Sequence, residues 1–191
     1  MIIRKLFKAE MAHNVPGAYT ARCHYLHGHS YKFELFLKSS QPNPAQMVAD
    51  FKGIKEMGIN DFFDSFDHTV TMWDKDALVS LIGKINPERH LIVPFIPTAE
   101  MLAKACFVVC QTIVETAPKL SNEKDVSVER VIVHETDTGY ASFESKDLEN
   151  DQFPSVDFSR WKFSQGIISG WKNKSWYDHA LKISLSSSFS D

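Results

Sequence analysis

The 191-residue chain has no hydrophobic run long enough to cross a bilayer. Its most apolar window, MLAKACFVVCQTIV at 101–114, is interrupted by Lys104 and reads as a buried helix, so a membrane partner is excluded. The first residues, MIIRKLFKAEMAH, carry Arg4, Lys5 and Glu10 in place of an apolar signal core, which predicts a protein that is not secreted. Cysteine is scarce. Three residues cannot pair completely, and Cys106 and Cys110 stand four apart inside the apolar window, where free thiols pack as small hydrophobes. A disulfide framework is therefore excluded and a reducing cytoplasm is expected. An excess of positive charge is also missing: the net charge is −3 and the Lys and Arg residues are scattered, so no basic face invites nucleic acid. A small molecule or a protein is the expected partner. There is no internal repeat, and no H-E-x-x-H helix to mark that class of zinc hydrolase.

What remains is an ordinary globular composition, 43% hydrophobic and 24% charged, at a length that predicts one domain. Residues 2–12 and 29–38 mix β-branched, aromatic and charged residues with a period near two and predict two strands, with a loop at Pro16–Gly17 between them. Spacing over 51–65 predicts a helix weakened by Gly53 and Gly58. The clearest helix is 98–117: Leu102, Ala103, Cys106, Val109, Cys110, Ile113 and Ala117 form one stripe, Thr98 caps its start and Pro118 ends it. Strands at 126–136 and 140–145 follow, joined by the turn DTG. This order predicts an α+β fold, an antiparallel sheet with helices on one face. A body spanning 1–150 is followed by an extension, 151–191, with three of the four tryptophans, expected to dock on the body or on a neighbouring subunit; its polar end, LSSSFSD, is expected to fray.

The stretch CHYLHGHSY puts one thiol and three imidazoles into nine residues at the mouth of a strand. Strand residues two apart share a face, so His27 and His29 form a chelating pair, with Gly28 leaving room between them. His13, at the end of the first strand, supplies a third imidazole if the two strands are antiparallel partners. Such a triad suits zinc. Cys23 leaves two readings open: as a fourth ligand it closes a structural site, and as a free thiol it stands beside an open, catalytic one. Asp67–His68, seen alone, reads as a turn or cap, Glu135 as a strand end, and Thr98 as a helix cap. His24 points away from its even-spaced neighbours and reads as surface. Asp50 reads as structural.

Together AEMAH (9–13), CHYLHGHSY (23–31), VADF (48–51), FDH (66–68), PTAE (97–100) and VHET (133–136) resemble the 6-pyruvoyl-tetrahydropterin synthase and 6-carboxy-tetrahydropterin synthase family, in the family's order and over about residues 1–145. The resemblance implies a tunnelling fold: a four-stranded antiparallel sheet with two helices on one face, joined with other subunits into a barrel, usually a homohexamer built from two trimers with active sites between subunits. It implies Zn(II) on His13, His27 and His29, catalysis by Cys23 with Asp67 and His68 relaying protons, and Glu135 and Thr98 binding the pterin. The spacing C-x3-H-G-H is similar to that of the 6-carboxy branch. That branch implies a lyase converting 7,8-dihydroneopterin triphosphate to 6-carboxy-5,6,7,8-tetrahydropterin, acetaldehyde and triphosphate, in queuosine biosynthesis. The pyruvoyl branch, which eliminates triphosphate without breaking the carbon chain, and a noncatalytic module with structural zinc are the alternatives. Two departures stand out: Asn14 follows His13 where the family often has arginine, and TVTM follows FDH where it often has x-x-Leu-Asn. Arg22, Lys52 and Lys55 receive no phosphate-binding role.

Overall fold

Alternation decides the first two strands. In the computed structural model, which describes residues 1–117 and 125–187, β1 (Ile2–His13) and β2 (His27–Lys38) form an antiparallel ladder from Ile2 opposite Lys38 to His13 opposite His27. Ala9, Met11, Tyr31, Phe33, Leu35 and Leu37 are all buried, so the odd positions of both strands face the core and the even, mostly polar ones face away. Between the strands lies α1 (Ala21–His24), its loop closed by the Val15 N–H donating to the Cys23 carbonyl at 2.9 Å.

The expected 51–65 helix is two short ones, α2 (Phe51–Glu56) and α3 (Ile59–Asp64). The Asp50 side chain caps α2 by accepting from the Lys52 N–H. Gly58 breaks the run: its φ is +96°, and a β-carbon there would lie 2.4 Å from that of Trp176. Only glycine meets both demands. Next come β3 (Thr69–Trp73), α4 (Val79–Ile85) and β4 (His90–Val93), which sequence patterning did not resolve. The long α5 (Ala99–Thr116) buries the expected stripe and is capped by Thr98, whose hydroxyl accepts from the Met101 N–H at 3.3 Å. Pro118, its expected terminator, lies outside the described residues. β5 (Ser127–His134) and β6 (Tyr140–Glu144) form the expected hairpin. The extension adds β7 (Lys162–Phe163), α6 (Gln165–Gly170) and α7 (Ser175–Ser187). Of the polar end, residues 185–187 continue α7 and 188–191 lie outside the described residues.

The α+β class holds, but the sheet is seven-stranded and mixed, in the order β6-β5-β2-β1-β3-β4-β7, and not four-stranded and antiparallel. The four expected strands are present as β6-β5-β2-β1, all antiparallel. Beyond them β3 pairs parallel to β1 and β4 parallel to β3, a crossover arrangement that leaves no local hairpin signal in the sequence. Helix α5 and the α2–α3 pair cover the odd face. The extension lies against the same body: Trp161, Trp171 and Trp176 are buried with Phe62 and Phe66, and the Trp171 Nε1–H donates to Ser65 Oγ at 2.8 Å. Lys104, only 5% exposed in the middle of α5, donates to the carbonyls of Phe153 and Pro154 at 2.9 and 2.8 Å and pairs with Asp151. Among the described residues no helix is long and apolar enough to cross a membrane.

Candidate metal centre

Because His13, His27 and His29 occupy odd positions at one end of the β1–β2 ladder, the alternation that builds the core also gathers them. His13 lies directly across from His27, and His29 is two residues further along the same face. One ligand nitrogen from each lies within 4.8 Å of the other two, and the rings stand 4.6, 4.8 and 5.5 Å apart between centroids. Tetrahedral zinc, with Zn–N bonds of about 2.0–2.1 Å, places its ligand nitrogens about 3.3 Å apart, so modest rotation of the rings closes the set. Among the described residues this is the one group of three or more metal-ligating side chains that close on one another.

Two backbone carbonyls prepare the rings. The Nδ1 of His13 lies 2.7 Å from the Pro97 carbonyl, and the Nδ1 of His27 is 2.7 Å from that of Tyr25. Donation from Nδ1–H to a carbonyl leaves each Nε2 with its lone pair free, the arrangement that orients metal-bound histidine. His13 is fully buried. Burial holds its pKa below the usual imidazole value, reinforced by His27 and His29, although the Pro97 bond and Glu135 act the other way. Its neutral form is the form a metal takes.

Glu135, just beyond the end of β5, enters the same space, with Oε1 3.3 Å from His13 Nε2 and 3.9 Å from His29 Nε2. Tyr31 holds it there: the buried hydroxyl donates to Glu135 Oε1 at 3.2 Å and lies 3.1 Å from His13 Nε2. Burial, then the adjacent carboxylate, pushes the Tyr31 phenol far above its ordinary range, so it stays a donor; Cys23 and Glu100 act on it in the same direction. Sequence reasoning assigned no role to Tyr31 or to Pro97. The parity of Tyr31 with His27 and His29 was a signal for the first; nothing local marked the second.

Cys23 is half-buried on α1 and is not one of the group that closes on the metal point. Thr98 follows Pro97 and so borders the site, with its oxygen engaged in the helix cap. Asn14, which follows His13, is buried and donates from Nδ2 to Asp76 at 2.8 Å. His24 is exposed, its Nδ1 accepting from the Gly17 N–H at 3.3 Å.

Asp67 and His68 are brought together, but elsewhere. Asp67 Oδ2 and His68 Nδ1 are 2.8 Å apart, and Asp67 Oδ1 accepts from the Glu10 N–H at 2.9 Å. The His68 N–H donates to the Glu10 carbonyl, so His68 lies level with an even residue of β1. With Glu10, Ala12, Gly28, His29 and Ser30 it lines a shallow cavity of about 420 Å³. The triad occupies odd positions of the same ladder. Partial burial opposes ionisation of Asp67, but the Glu10 N–H, His68 and Arg89 outweigh it and hold the carboxyl below the usual range.

Residues 2–146 match the family model described as 6-pyruvoyl tetrahydropterin synthase. Two relatives from Helicobacter pylori, each named 6-carboxy-5,6,7,8-tetrahydropterin synthase, extend further. The protein of strain J99 is 33% identical over 180 residues, 93% of this chain and 90% of its own. That of strain 26695 is 32% identical over 184 residues, 95% and 92%. Among solved structures, an uncharacterized protein of Wolinella succinogenes matches with a TM-score of 0.63 at 20% identity, over 76% of this chain and 98% of its own. The 6-pyruvoyl tetrahydropterin synthase of Caenorhabditis elegans matches at 0.53 and 17%, over 76% and 95%. At those identities the structural likeness speaks for the fold alone.

Proposed function

The chain belongs to the 6-pyruvoyl tetrahydropterin synthase family, and from that premise we propose that it is a carbon–carbon lyase of the 6-carboxy branch, converting 7,8-dihydroneopterin triphosphate to 6-carboxy-5,6,7,8-tetrahydropterin, acetaldehyde and triphosphate. The observation that carries the reading is the set of three imidazoles closing on one point beside the Glu135 carboxylate. The names of the two Helicobacter relatives favour the branch. The product serves biosynthesis of queuosine and other deazapurines, in the cytoplasm.

His13, His27 and His29 hold a divalent ion, and an all-imidazole set of three makes zinc the ion of choice. When bound, the ion supplies Lewis acidity, acidifying the C–H and O–H bonds beside the oxygens of the substrate side chain. Cys23, outside the closing group, serves as the base that takes the proton. Glu135, oriented by Tyr31, receives the N–H edge of the pterin through its two carboxylate oxygens. Thr98 contributes the hydrogen that its capping bond leaves free.

Asp67 and His68 complete the proton path from a neighbouring subunit, a reading supported by their lying level with an even residue of β1 while the triad occupies odd ones. Two open edges support such assembly. Among the described residues β1 pairs with β3 only at Met11 and Ala12, leaving positions 2–9 free on that side, and β6 has a ladder only with β5. A homohexamer built from two trimers is the assembly we propose.

The test is direct. Purified protein loaded with zinc and supplied with 7,8-dihydroneopterin triphosphate yields acetaldehyde and the 6-carboxy product by mass spectrometry. Triphosphate release without acetaldehyde would move the chain to the pyruvoyl branch. Should Cys23→Ala lose its zinc and unfold, the thiol is a ligand and the metal structural; retention of both with loss of turnover supports the catalytic reading.

A further inference from the structure

We propose that Arg89 is a positioning residue for the Asp67–His68 pair: by gripping the main-chain carbonyls of Asp64 and Asp67, its guanidinium fixes the orientation in which the carboxylate and imidazole pass a proton. The inference deepens the functional reading above and rests on it.

The turn that carries the pair has its own bonds, the Asp67 N–H donating to the Asp64 carbonyl at 3.1 Å, and is gripped further from both sides. His68 has φ +53°, the left-handed region in which a residue with a β-carbon persists only when its surroundings hold it. From one side β1 supplies the grip: the Glu10 N–H meets Asp67 Oδ1 at 2.9 Å and the Glu10 carbonyl accepts from the His68 N–H at 2.8 Å. From the other side comes Arg89, immediately before β4. Its Nη2 donates to the Asp67 carbonyl and reaches the carbonyl of Asp64, the last residue of α3, at 3.4 Å. Thr69 Oγ1 donates to the same Asp67 carbonyl at 3.1 Å.

Arg89 is itself anchored. Its carbonyl accepts from the Val70 N–H at 3.0 Å and from Asn86 Nδ2 at 2.9 Å, which ties its backbone into the β3–β4 pairing. Among the described residues the guanidinium has no carboxylate within ion-pair distance, and its Nη2 contacts are to the backbone of the turn. The two strands added beyond β1 thus deliver a fixed cation behind the Asp67–His68 pair.

The plainer role for such an arginine is a cap on the C-terminal carbonyls of α3. The two roles differ in what the charge does to the carboxylate. The charged groups around Asp67 are His68 on the turn, Arg89 just before β4, Asp64 from α3 and Glu10 from β1, whose own carboxylate is turned to Ser30 Oγ at 2.7 Å. Of the cationic ones, only Arg89 is charged at every working pH.

Arg89→Ala and Arg89→Lys, made in the full chain, assembled and zinc-loaded, separate the roles. In Arg89→Ala kcat on dihydroneopterin triphosphate falls about ten- to a hundredfold while KM and zinc content stay at wild-type values. The acid limb of its kcat–pH profile moves to higher pH, and Arg89→Lys, which keeps the charge, moves that limb back and recovers part of kcat. Lowered thermal stability in both variants with kcat and the acid limb unmoved would reduce Arg89 to a helix cap and overturn the proposal. If the wild-type protein turns over no pterin, the functional reading falls by itself. The role of Arg89 is then decided by 13C NMR titration of the Asp67 carboxyl, assigned with Asp67→Asn: a midpoint raised in Arg89→Ala and restored in Arg89→Lys supports the proposal, and an unmoved midpoint overturns it.

Discussion

The two faces of the β1–β2 ladder carry the same kinds of group in opposite settings. On the odd face three imidazoles continue the line of Met11, Tyr31 and Phe33, and the innermost, His13, is fully buried. On the even face Asp67 and His68 lie beside Glu10 and Ser30, with the His68 side chain 76% exposed. The inner group is shaped by desolvation and carbonyl tethers and suits a cation ligand set. The outer one is shaped by backbone donors and suits proton exchange. The ladder thus presents a buried ligand set and an exposed carboxylate–imidazole pair at positions of opposite parity.

The sharpest way to break this contrast is to remove one imidazole. His29→Ala is expected to lose its metal, read by elemental analysis, and to drop turnover to background. On the outer face His68→Ala is expected to keep the metal and lose turnover by about a hundred- to ten-thousandfold. Co-assembly of His68→Ala with Cys23→Ala chains is expected to restore activity, because some sites then draw the thiol from one chain and the imidazole from the other. No recovery in verified mixed assemblies would place both groups in one chain's site and undo the comparison.

Tyr31→Phe tests the inner face more gently. Removing a hydrogen bond to a carboxylate costs about 1.5 kcal/mol or somewhat more, so KM for the pterin is expected to rise about tenfold with metal content unchanged. The smallest effects separate the faces by pH. In metal-free protein His13, held below the imidazole range by burial, contributes stability that is present above about pH 6.5 and lost as the pH falls through its lowered folded value. Asp67, also held low, contributes stability present above about pH 3.9 and lost only below it. Thermal melts from pH 8 to pH 3 are expected to show the first loss vanish in His13→Gln and the second in Asp67→Asn.

Local pattern carried a good deal of this molecule. Period-two alternation in 2–12 and 29–38 was enough for the two strands and the chelating pair His27 and His29, while the third imidazole, His13, depended on their antiparallel pairing, which the structure supplies. The stripe from Leu102 to Ala117 and the Thr98 cap were enough for α5. What escaped was non-local. TVTMW and HLIV enter the sheet by parallel pairing, whose partners are far apart in the chain and joined by no tight turn. The break at Gly58 depends on Trp176, more than a hundred residues away. The approach of Tyr31 and Glu135 requires the register of β2 against β5, which shifts between Phe36 and Leu37. The face on which His68 lies follows from β3 aligning with β1, so a motif that names the residue gave no hint of its side.

Lys104 sets a limit on where this protein can be cut. The family model ends at residue 146, yet among the described residues each oxygen neutralising or solvating that ammonium comes from Asp151, Phe153 or Pro154. Shortening a gene to the portion that model matches would strand a cation in an oily wall with nothing to answer it. The smallest fragment worth expressing therefore runs past Pro154, and the boundary drawn by the family model falls short of the one drawn by solvation.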